Sequence, residues 1–262
     1  MADHPMGVRP RVLVIASWYP SADAPTAGIF IQQQVLALAT VADVAVLHVE
    51  WGRSSFAPQL SREDGATVVR AGVRDTGPIS RFVGYRRAGR VAFSALRQSW
   101  GDPDIVHVQA LFPAAMIARD IKRRLGVPYV ITEHSEEYLA SSKRRLVRTP
   151  GMLPLVLRPL ALGASRTIAV SELLSSRLRQ LRLAVNPVVV PNVVPLAPAT
   201  AAATQLPHVI AHVSIMGPAK NLDMLLRAID LLRESRMDFV LRLAGDGECR
   251  QSLELLSDKL GL

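Results

Sequence analysis

The chain has 262 residues, 49% of them hydrophobic and 20% charged, which is an ordinary composition for a globular α/β protein. A single cysteine, Cys249, excludes a disulfide framework and a cysteine-based zinc site. The formal net charge is +9, and no apolar stretch is long enough for a membrane span or a signal peptide.

Buried strands alternate with helices along the first 190 residues. After a flexible tail at residues 1–10, near-continuous apolar runs predict strands at 11–17, 43–49, 66–70, 104–109, 128–132, 166–170 and 187–190. Helical spacing predicts helices that begin at Ile29, Arg81, Pro113 and Ser171. This alternation predicts an α/β fold in which residues 11–190 form a complete Rossmann-like domain with a doubly wound parallel sheet.

A linker and a second unit follow. Residues 191–207 hold four prolines and no charge, which is typical of a linker or hinge. Residues 208–262 are predicted as strand, loop, helix, strand, glycine turn and helix. Two strands and two helices are too few to cover both faces of a parallel sheet. We therefore expect the first part of a second Rossmann-like domain, and a chain truncated within it.

Positive charge is unevenly distributed. Residues 139–186 hold nine Lys or Arg against Glu172 alone, whereas residues from Pro207 onward hold seven basic and eight acidic side chains. Beside the apolar stretch MLPLVLRPLALGA, which begins at Met152, this charge fits an anionic membrane surface or a phosphate-bearing substrate. A solvated arginine-rich surface is the alternative. Interleaved aromatic residues are missing, so we expect no nucleic-acid partner.

Ligands of doubly wound sheets bind beyond the carboxyl ends of the strands. The polar residues predicted at such ends are Ser17, His107, Gln109, Glu133, His134, Ser171, Asn192, Ser214 and Asp246. The two histidines in this set change charge near neutral pH and can donate a hydrogen bond to a sugar hydroxyl. The alternative is that each histidine only forms hydrogen bonds with the backbone at the end of its strand. These residues are the candidates for a functional site.

Several segments, in this order, resemble a known enzyme family. They are ASWYPSADAPTAGIFIQQQ, DIVHVQALFPAAMIARDIKRRLGVPYVITEHSEEY, TIAVSELLSSRL, VVVPNVV and VSIMGPAKNLDMLLRAI with LRLAGDGE. The chain is similar to GT-B glycosyltransferases of the retaining family 4, the "glycosyl transferases group 1" type. The resemblance runs almost from end to end.

The resemblance implies roles for residues of the first domain. In similar enzymes the loop through Gly28 closes over donor and acceptor, and the histidine at the position of His134 lies beside the transferred sugar. His134 is therefore the expected catalytic residue, with His107, Gln109 and Glu133 on the acceptor side. For Gly28 the alternative is a plain strand-to-helix turn.

The resemblance also implies a donor site. Its expected members are Gly28, Lys220, Ser214, Asp246, Gly247 and Asn192. Lys220 matches the lysine that holds the donor diphosphate, and a solvent-exposed lysine is the alternative. The turn through Asp246 could instead be structural with an N-cap, and Asn192 a hinge residue. The chain departs from the pattern at Ile215, where many relatives carry an arginine.

The implied activity is the transfer of a sugar from a nucleoside diphosphate sugar to a hydroxyl of a glycan or lipid-linked acceptor, with retention, in polysaccharide or glycolipid biosynthesis. The donor would lie between two Rossmann-like domains, with cations and helix amides rather than a metal or another cofactor at the diphosphate. We expect a cytoplasmic location, peripheral on the inner face of the membrane.

The glutamate pair E-x7-E that relatives carry in the second domain has no counterpart up to Leu262. We therefore expect the chain as given to be inactive, although the longer parent would be an enzyme. The alternative is a truncated, inactive fragment that binds sugar nucleotides or other anions.

Overall fold

The computed structural model divides into two compact units, Met1–Leu196 and Ala197–Leu262. It describes residues 9–52, 56–74, 77, 80–134, 138, 150–194, 208–233 and 238–262. Most of the predicted tail (1–10) and of the predicted linker (191–207) lies outside the described residues. Arg9 belongs to the folded part, because its guanidinium donates to the carbonyl of Ala39 at 2.7 Å.

The first unit is built on an eight-stranded sheet. Its strands are β1 (Arg11–Ala16), β2 (Asp43–Gly52), β3 (Phe56–Glu63), β4 (Ala66–Arg74), β5 (Ile105–Gln109), β6 (Tyr129–Glu133), β7 (Arg166–Ala169) and β8 (Val188–Val189). The spatial order is β3-β4-β2-β1-β5-β6-β7-β8, and only the pair β3–β4 is antiparallel. The doubly wound parallel sheet predicted for residues 11–190 is confirmed, with one antiparallel strand at its edge.

The edge strand β3 is a feature that the sequence does not predict. Its residues FAPQLSRE contain a proline and lack the alternation of apolar side chains that marks a half-buried strand. Asp64 and Gly65 connect it to β4 with φ angles of 52° and 79°, as a tight hairpin turn requires. Strand β4 extends to Arg74, beyond its predicted end at Arg70, because it pairs with β3 as far as Gly72 and with β2 as far as Arg74.

Helices cover both faces of the sheet. The helices of the first unit are α1 (Ile29–Ala39), α2 (Ser80–Trp100), α3 (Ala115–Leu125), α4 (Arg158–Ala161) and α5 (Glu172–Gln180). Side chains of β1 alternate between two cores, with Leu13 and Ile15 on one face and Val14 on the other. Helix α1 covers the face of Val14, whereas α2 to α5 cover the opposite face.

Local signals account for the ends of these helices. The Ser171 hydroxyl accepts a hydrogen bond from the Leu174 amide at 3.2 Å, which confirms Ser171 as the N-cap of α5. Gly126 ends α3 in the left-handed region, with φ of 74°. The start of α3 lies at Ala115 rather than at Pro113, and β8 is shorter than the predicted strand at 187–190.

The second unit has the predicted order of elements. Strands β9 (His208–Val213) and β10 (Phe239–Ala244) pair in parallel, and helices α6 (Leu222–Arg233) and α7 (Arg250–Lys259) follow them in turn. One face of this two-stranded sheet packs against the helices in a small core. The opposite face leaves Val209, Val213 and Val240 exposed.

The apolar stretch from Met152 is a π-helical turn, Met152–Leu157, that continues into α4. Leu157 and Leu160 are buried in the core of the first unit, so these two side chains are not available to a membrane surface. Leu155 and Leu162 are 76% and 60% exposed. Among the described residues, no helix combines the length and apolar character that crossing a bilayer requires.

Candidate active site

A chain of hydrogen-bonded side chains lies at the carboxyl ends of β5 and β6. Gln109 ends β5, and its Oε1 is 2.7 Å from Nε2 of His134, which directly follows β6. Nε2 of Gln109 is 2.8 Å from Oε1 of Gln34 on α1. Nε2 of Gln34 is 3.0 Å from Oδ1 of Asn192, shortly after β8. We call these four residues the polar chain.

The contacts set the direction of the polar chain, because an amide oxygen accepts and an amide nitrogen donates. Gln34 donates to Asn192, and Gln109 donates to Gln34. The oxygen of Gln109 therefore accepts a hydrogen bond from the Nε2–H of His134. His134 is the Nε2–H tautomer, which leaves a lone pair on its Nδ1 atom.

His134 is a neutral and confined base. Its ring lies 4.7 Å from the ring of Phe30, between centroids. Burial, with a smaller contribution from His107, lowers the pKa of His134 to about 4. Its Nδ1 atom is buried and meets no hydrogen-bond partner among the described residues. This lone pair can accept a hydrogen bond from a hydroxyl group that enters the site.

His107 lies in the middle of β5, which corrects the prediction that it ends a strand. Its Nε2 is 2.7 Å from Oγ1 of Thr132 and 3.3 Å from Nε2 of Gln109. Burial lowers the pKa of His107 to about 4, so the ring is neutral at pH 7. The structure makes His107 a neighbour of the polar chain, and its predicted contact with an acceptor stays a prediction.

Glu133 is a buried carboxylate that positions backbone. Its Oε2 accepts the Leu111 amide and its Oε1 accepts the His134 amide, both at 2.9 Å. These bonds fix the loop after β5 to the end of β6, and they hold the main chain of His134. A contact between Glu133 and an acceptor stays a prediction.

Gly28 stands where the loop after β1 enters α1. Its φ is +69°, and a Cβ atom there would lie 2.5 Å from the carbonyl oxygen of Trp18. The close approach of Gly28 to Trp18, at the beginning of the same loop, therefore requires glycine, whether or not its backbone also contacts a donor. The structure thus supports the turn alternative, and the donor contact stays a prediction.

Two loops carry the candidate donor residues of the second unit. The loop after β9 and the loop after β10 are joined by backbone hydrogen bonds, including one from the Met216 amide to the Asp246 carbonyl at 2.8 Å. A Cβ atom on Gly245 would overlap the carbonyl oxygen of Ser214, and one on Gly247 would lie 2.6 Å from that of Met216. Both glycines are therefore required by packing.

Lys220 is an exposed cation just before a helix. It ends a short 3-10 turn, Pro218–Lys220, two residues before α6 begins. The side chain is exposed, and no carboxylate in the described part of the chain pairs with it. Helix N-terminal amides and an unpaired ammonium together favour an anion. Ile215, on the loop after β9, is 70% exposed and adds no charge.

Asp246 is not the N-cap of α7, which corrects the structural alternative for its turn. The N-cap position is Cys249, with no side-chain cap. Instead, Oδ1 of Asp246 accepts the Gly247 amide at 2.8 Å and lies 3.9 Å from Arg250. The hydroxyl of Ser214 lies 2.8 Å from Nε2 of His212. Donor contacts of Ser214, Asp246, Gly247 and Asn192 stay predictions.

Gln34, Thr132 and Phe30 lie at the site but were not predicted from the sequence. Phe30 and Gln34 are four residues apart on α1, so helical spacing already places them on one face. That face of α1 contacts the end of β5. This contact depends on strand order, so it cannot be predicted from the α1 segment alone. In the described residues, no group of three or more His, Cys, Asp or Glu side chains could hold a metal ion.

Comparisons with known proteins agree with this architecture. A sucrose-phosphate synthase from Thermosynechococcus elongatus is similar at a TM-score of 0.68 and 16% identity, over 97% of this chain and 68% of that one. A trehalose-6-phosphate structure from E. coli, bound with UDP-2-fluoro glucose, is similar at 0.64 and 14%, over 95% and 69%.

A UDP-forming α,α-trehalose-phosphate synthase from Burkholderia xenovorans is similar at a TM-score of 0.62 and 14% identity, over 96% and 69% of the two chains. A search of curated proteins found no match. The family model described as Glycosyltransferase Family 4 matches residues 28–198, well over half of the sequence. The chain therefore belongs to Glycosyltransferase Family 4, and it shares the GT-B fold of the solved glycosyltransferases that it resembles.

Proposed function

We propose that the protein transfers a sugar from a nucleoside diphosphate sugar to a hydroxyl of a glycan or lipid-linked acceptor, with retention, in polysaccharide or glycolipid biosynthesis. The observation that carries the proposal is the polar chain. It holds His134 as a neutral Nε2–H tautomer at the carboxyl edge of the sheet in a family 4 domain. Similar enzymes place a histidine beside the transferred sugar at this position.

His134 is the proposed contact to the transferred sugar. Its Nε2–H is occupied by Gln109, so Nδ1 is the atom available to a ligand. A lone pair in a buried site accepts a sugar hydroxyl and fixes its orientation without changing charge. His107, Gln109 and Glu133 then support this histidine, with the acceptor on the same side of the first unit.

Lys220 is the proposed contact to the donor diphosphate. Negative charge develops on the leaving diphosphate in the transition state, and a positioned ammonium beside helix amides stabilises it. The E. coli structure with a bound UDP-sugar analogue supports a nucleoside diphosphate sugar as co-substrate. The proposal includes no metal and no organic cofactor. Ser214, Asp246, Gly247, Gly28 and Asn192 complete the proposed donor site.

The proposal is tested by turnover. Release of nucleoside diphosphate is measured from a panel of UDP- and GDP-sugars with glycan and lipid-linked acceptors, and the anomeric configuration of the product is read by NMR. Both the 262-residue chain and, where the reading frame continues, the longer product are assayed. For the longer protein we expect acceptor-dependent release of nucleoside diphosphate and a retained anomeric configuration. We expect the 262-residue chain alone to be inactive. An inverted anomeric configuration in the product would contradict the proposal, and so would release of nucleoside diphosphate that does not depend on an acceptor.

A second candidate is a protein that binds sugar nucleotides or other anions without turnover. The exposed Ile215 favours it, because the loop after β9 then lacks one of the two cations that similar enzymes bring to the diphosphate. Titration calorimetry with nucleoside diphosphates separates the two candidates. Binding that depends on Lys220, together with no turnover in any form of the protein, would support the second.

A further inference from the structure

Helices α2 and α3 form a strongly cationic surface. Their basic residues are Arg81, Arg86, Arg87, Arg90, Arg97, Arg119, Lys122, Arg123 and Arg124, and their single acidic residue is Asp120. The two helices pack side by side on the same face of the sheet, away from α1. We call the outward side of this pair the cationic face.

Asp120, the single carboxylate of α2 and α3, does not lie on the exposed side of the cationic face. Asp120 is buried between the helices, where it accepts hydrogen bonds from Arg86 and, at 2.7 Å, from Arg90. Burial alone would raise the pKa of Asp120, but the two guanidinium groups more than reverse this and lower it. These ion pairs join the two helices. Arg97 is paired with Asp102, just after α2, whereas Arg87, Arg123 and Arg124 remain exposed.

Apolar side chains are interleaved with these cations. On α2, Val83 and Val91 are 65% and 50% exposed and flank the exposed Arg87 at helical spacing of four residues. The ammonium of Lys122 on α3 donates to the carbonyl of Gly163 at 2.8 Å. This bond joins the cationic face to the segment after α4, where Leu162 is exposed.

We propose that the cationic face is a docking surface for an anionic phospholipid bilayer. A bilayer interface offers negative headgroups and an apolar region within a few ångströms of each other, which matches exposed arginines interleaved with the exposed Val83 and Val91. A polyanion such as a nucleic acid would satisfy the arginines but leave the apolar side chains in water. This surface differs from the cations at 139–149, which lie outside the described residues.

Vesicle co-sedimentation tests the proposal with no sugar nucleotide present, so its failure does not bear on the proposed transferase activity. Vesicles of phosphatidylcholine alone and vesicles with about 30% phosphatidylglycerol are compared. We expect binding only to the second, and its loss at about 0.5 M salt because exposed charges are screened. Equal recovery with both vesicle types, or tighter binding to a DNA oligonucleotide, would overturn the proposal.

Charge-reversal variants locate the surface. The triple variant Arg87→Glu, Arg123→Glu, Arg124→Glu should bind anionic vesicles at least about tenfold more weakly. The matched control Arg166→Glu, Arg227→Glu, Lys259→Glu removes the same charge from exposed positions elsewhere and should bind within about twofold of the wild type. Equal losses in both triples would show a net-charge effect and sink the assignment.

Two further variants keep the test independent of folding and of neighbouring cations. The neutral triple Arg87→Gln, Arg123→Gln, Arg124→Gln serves if the charge-reversed protein loses its helical circular dichroism. The double variant Val83→Ser, Val91→Ser keeps every charge and should still bind several-fold more weakly. Unchanged binding of this double variant would contradict a bilayer and leave an electrostatic partner instead.

Discussion

The two units present their candidate site residues in opposite ways. In the first unit, His134 is partly buried and fixed through side chains, in a chain that runs through Gln109 to Gln34. In the second unit, Lys220 is exposed and unpaired among the described residues, and backbone hydrogen bonds join the two loops beside it.

This difference separates two kinds of contribution. Positioning through buried side chains couples a site to the stability of its domain, since each lost partner leaves a buried polar atom unsatisfied. An exposed cation on a backbone-shaped loop can be removed with little effect on folding. The first unit should therefore lose stability and function together, whereas the second should lose them through different residues.

The largest effect is expected at Gly245. A Cβ atom there would overlap the carbonyl of Ser214, and φ is +145°, so Gly245→Ala should destabilise the second unit by about 3 kcal/mol or more. Hydrogen exchange resolved by unit measures this change. Gly217→Ala is the control, since nothing lies within 4 Å of a Cβ at that position. Similar losses in both variants would show that the loops are not packed as described.

The next effect is expected at Lys220. In the longer product of the reading frame, Lys220→Ala should lower kcat/KM for the donor by a factor that corresponds to about 2 to 4 kcal/mol, with the melting temperature unchanged. The control is Lys259→Ala, which removes an exposed lysine from the last turn of α7. A value of kcat/KM within about threefold of the wild type would refute the diphosphate role.

A smaller, coupled effect is expected in the polar chain. Gln109→Leu removes the acceptor of His134 Nε2 and the donor to Gln34, so it should cost about 1 to 3 kcal/mol of stability and, in the longer product, also lower kcat. Gln33→Leu, beside Gln34 on α1, is the control. If Gln109→Leu lowered stability but left kcat intact, the polar chain would be structural only.

The smallest effect is the pH dependence of the first unit. Burial lowers the pKa of His48, His107 and His134 to about 4, below the ordinary value of 6.5. The unfolded chain binds more protons between these values, so stability is full above pH 6.5 and is lost as pH falls towards 4. Each histidine should contribute about 1 kcal/mol of loss between pH 6.5 and 5.5.

Urea unfolding at stepped pH measures this slope, and His48→Leu should reduce it by the share of one histidine. A flat profile between pH 6.5 and 5.5 would mean that these rings are solvated in the folded protein.

The elements of the fold follow from the sequence where burial is two-sided. The continuous apolar runs of β1 and β2 allow one interpretation, whereas the polar edge strand β3 takes its conformation from pairing with β4. Helix caps such as Ser171 are equally local. A conformation that depends on pairing between distant elements cannot be predicted from a single segment.

The same limit applies to the candidate site and to the cationic face. His134 and Gln109 could be chosen because both end strands, but the bridge through Gln34 depends on α1 lying beside β5. Counting charges along the sequence locates the positive excess at residues 139–186. The cationic face depends instead on the packing of α2 beside α3, where Arg86 and Asp120 meet although 34 residues separate them.

The first unit holds His134 as a neutral, oriented imidazole, and we propose that it contacts the sugar of a nucleotide-sugar donor. Imidazole nitrogen NMR on the protein, titrated with pH and then with UDP- and GDP-sugars, measures both properties. We expect the Nε2–H tautomer, a pKa of about 4, and a selective shift of His134 Nδ1 on addition of one donor. A His134 that titrates at its ordinary value and responds to no sugar nucleotide would show that the ring is neither buried nor part of a donor site.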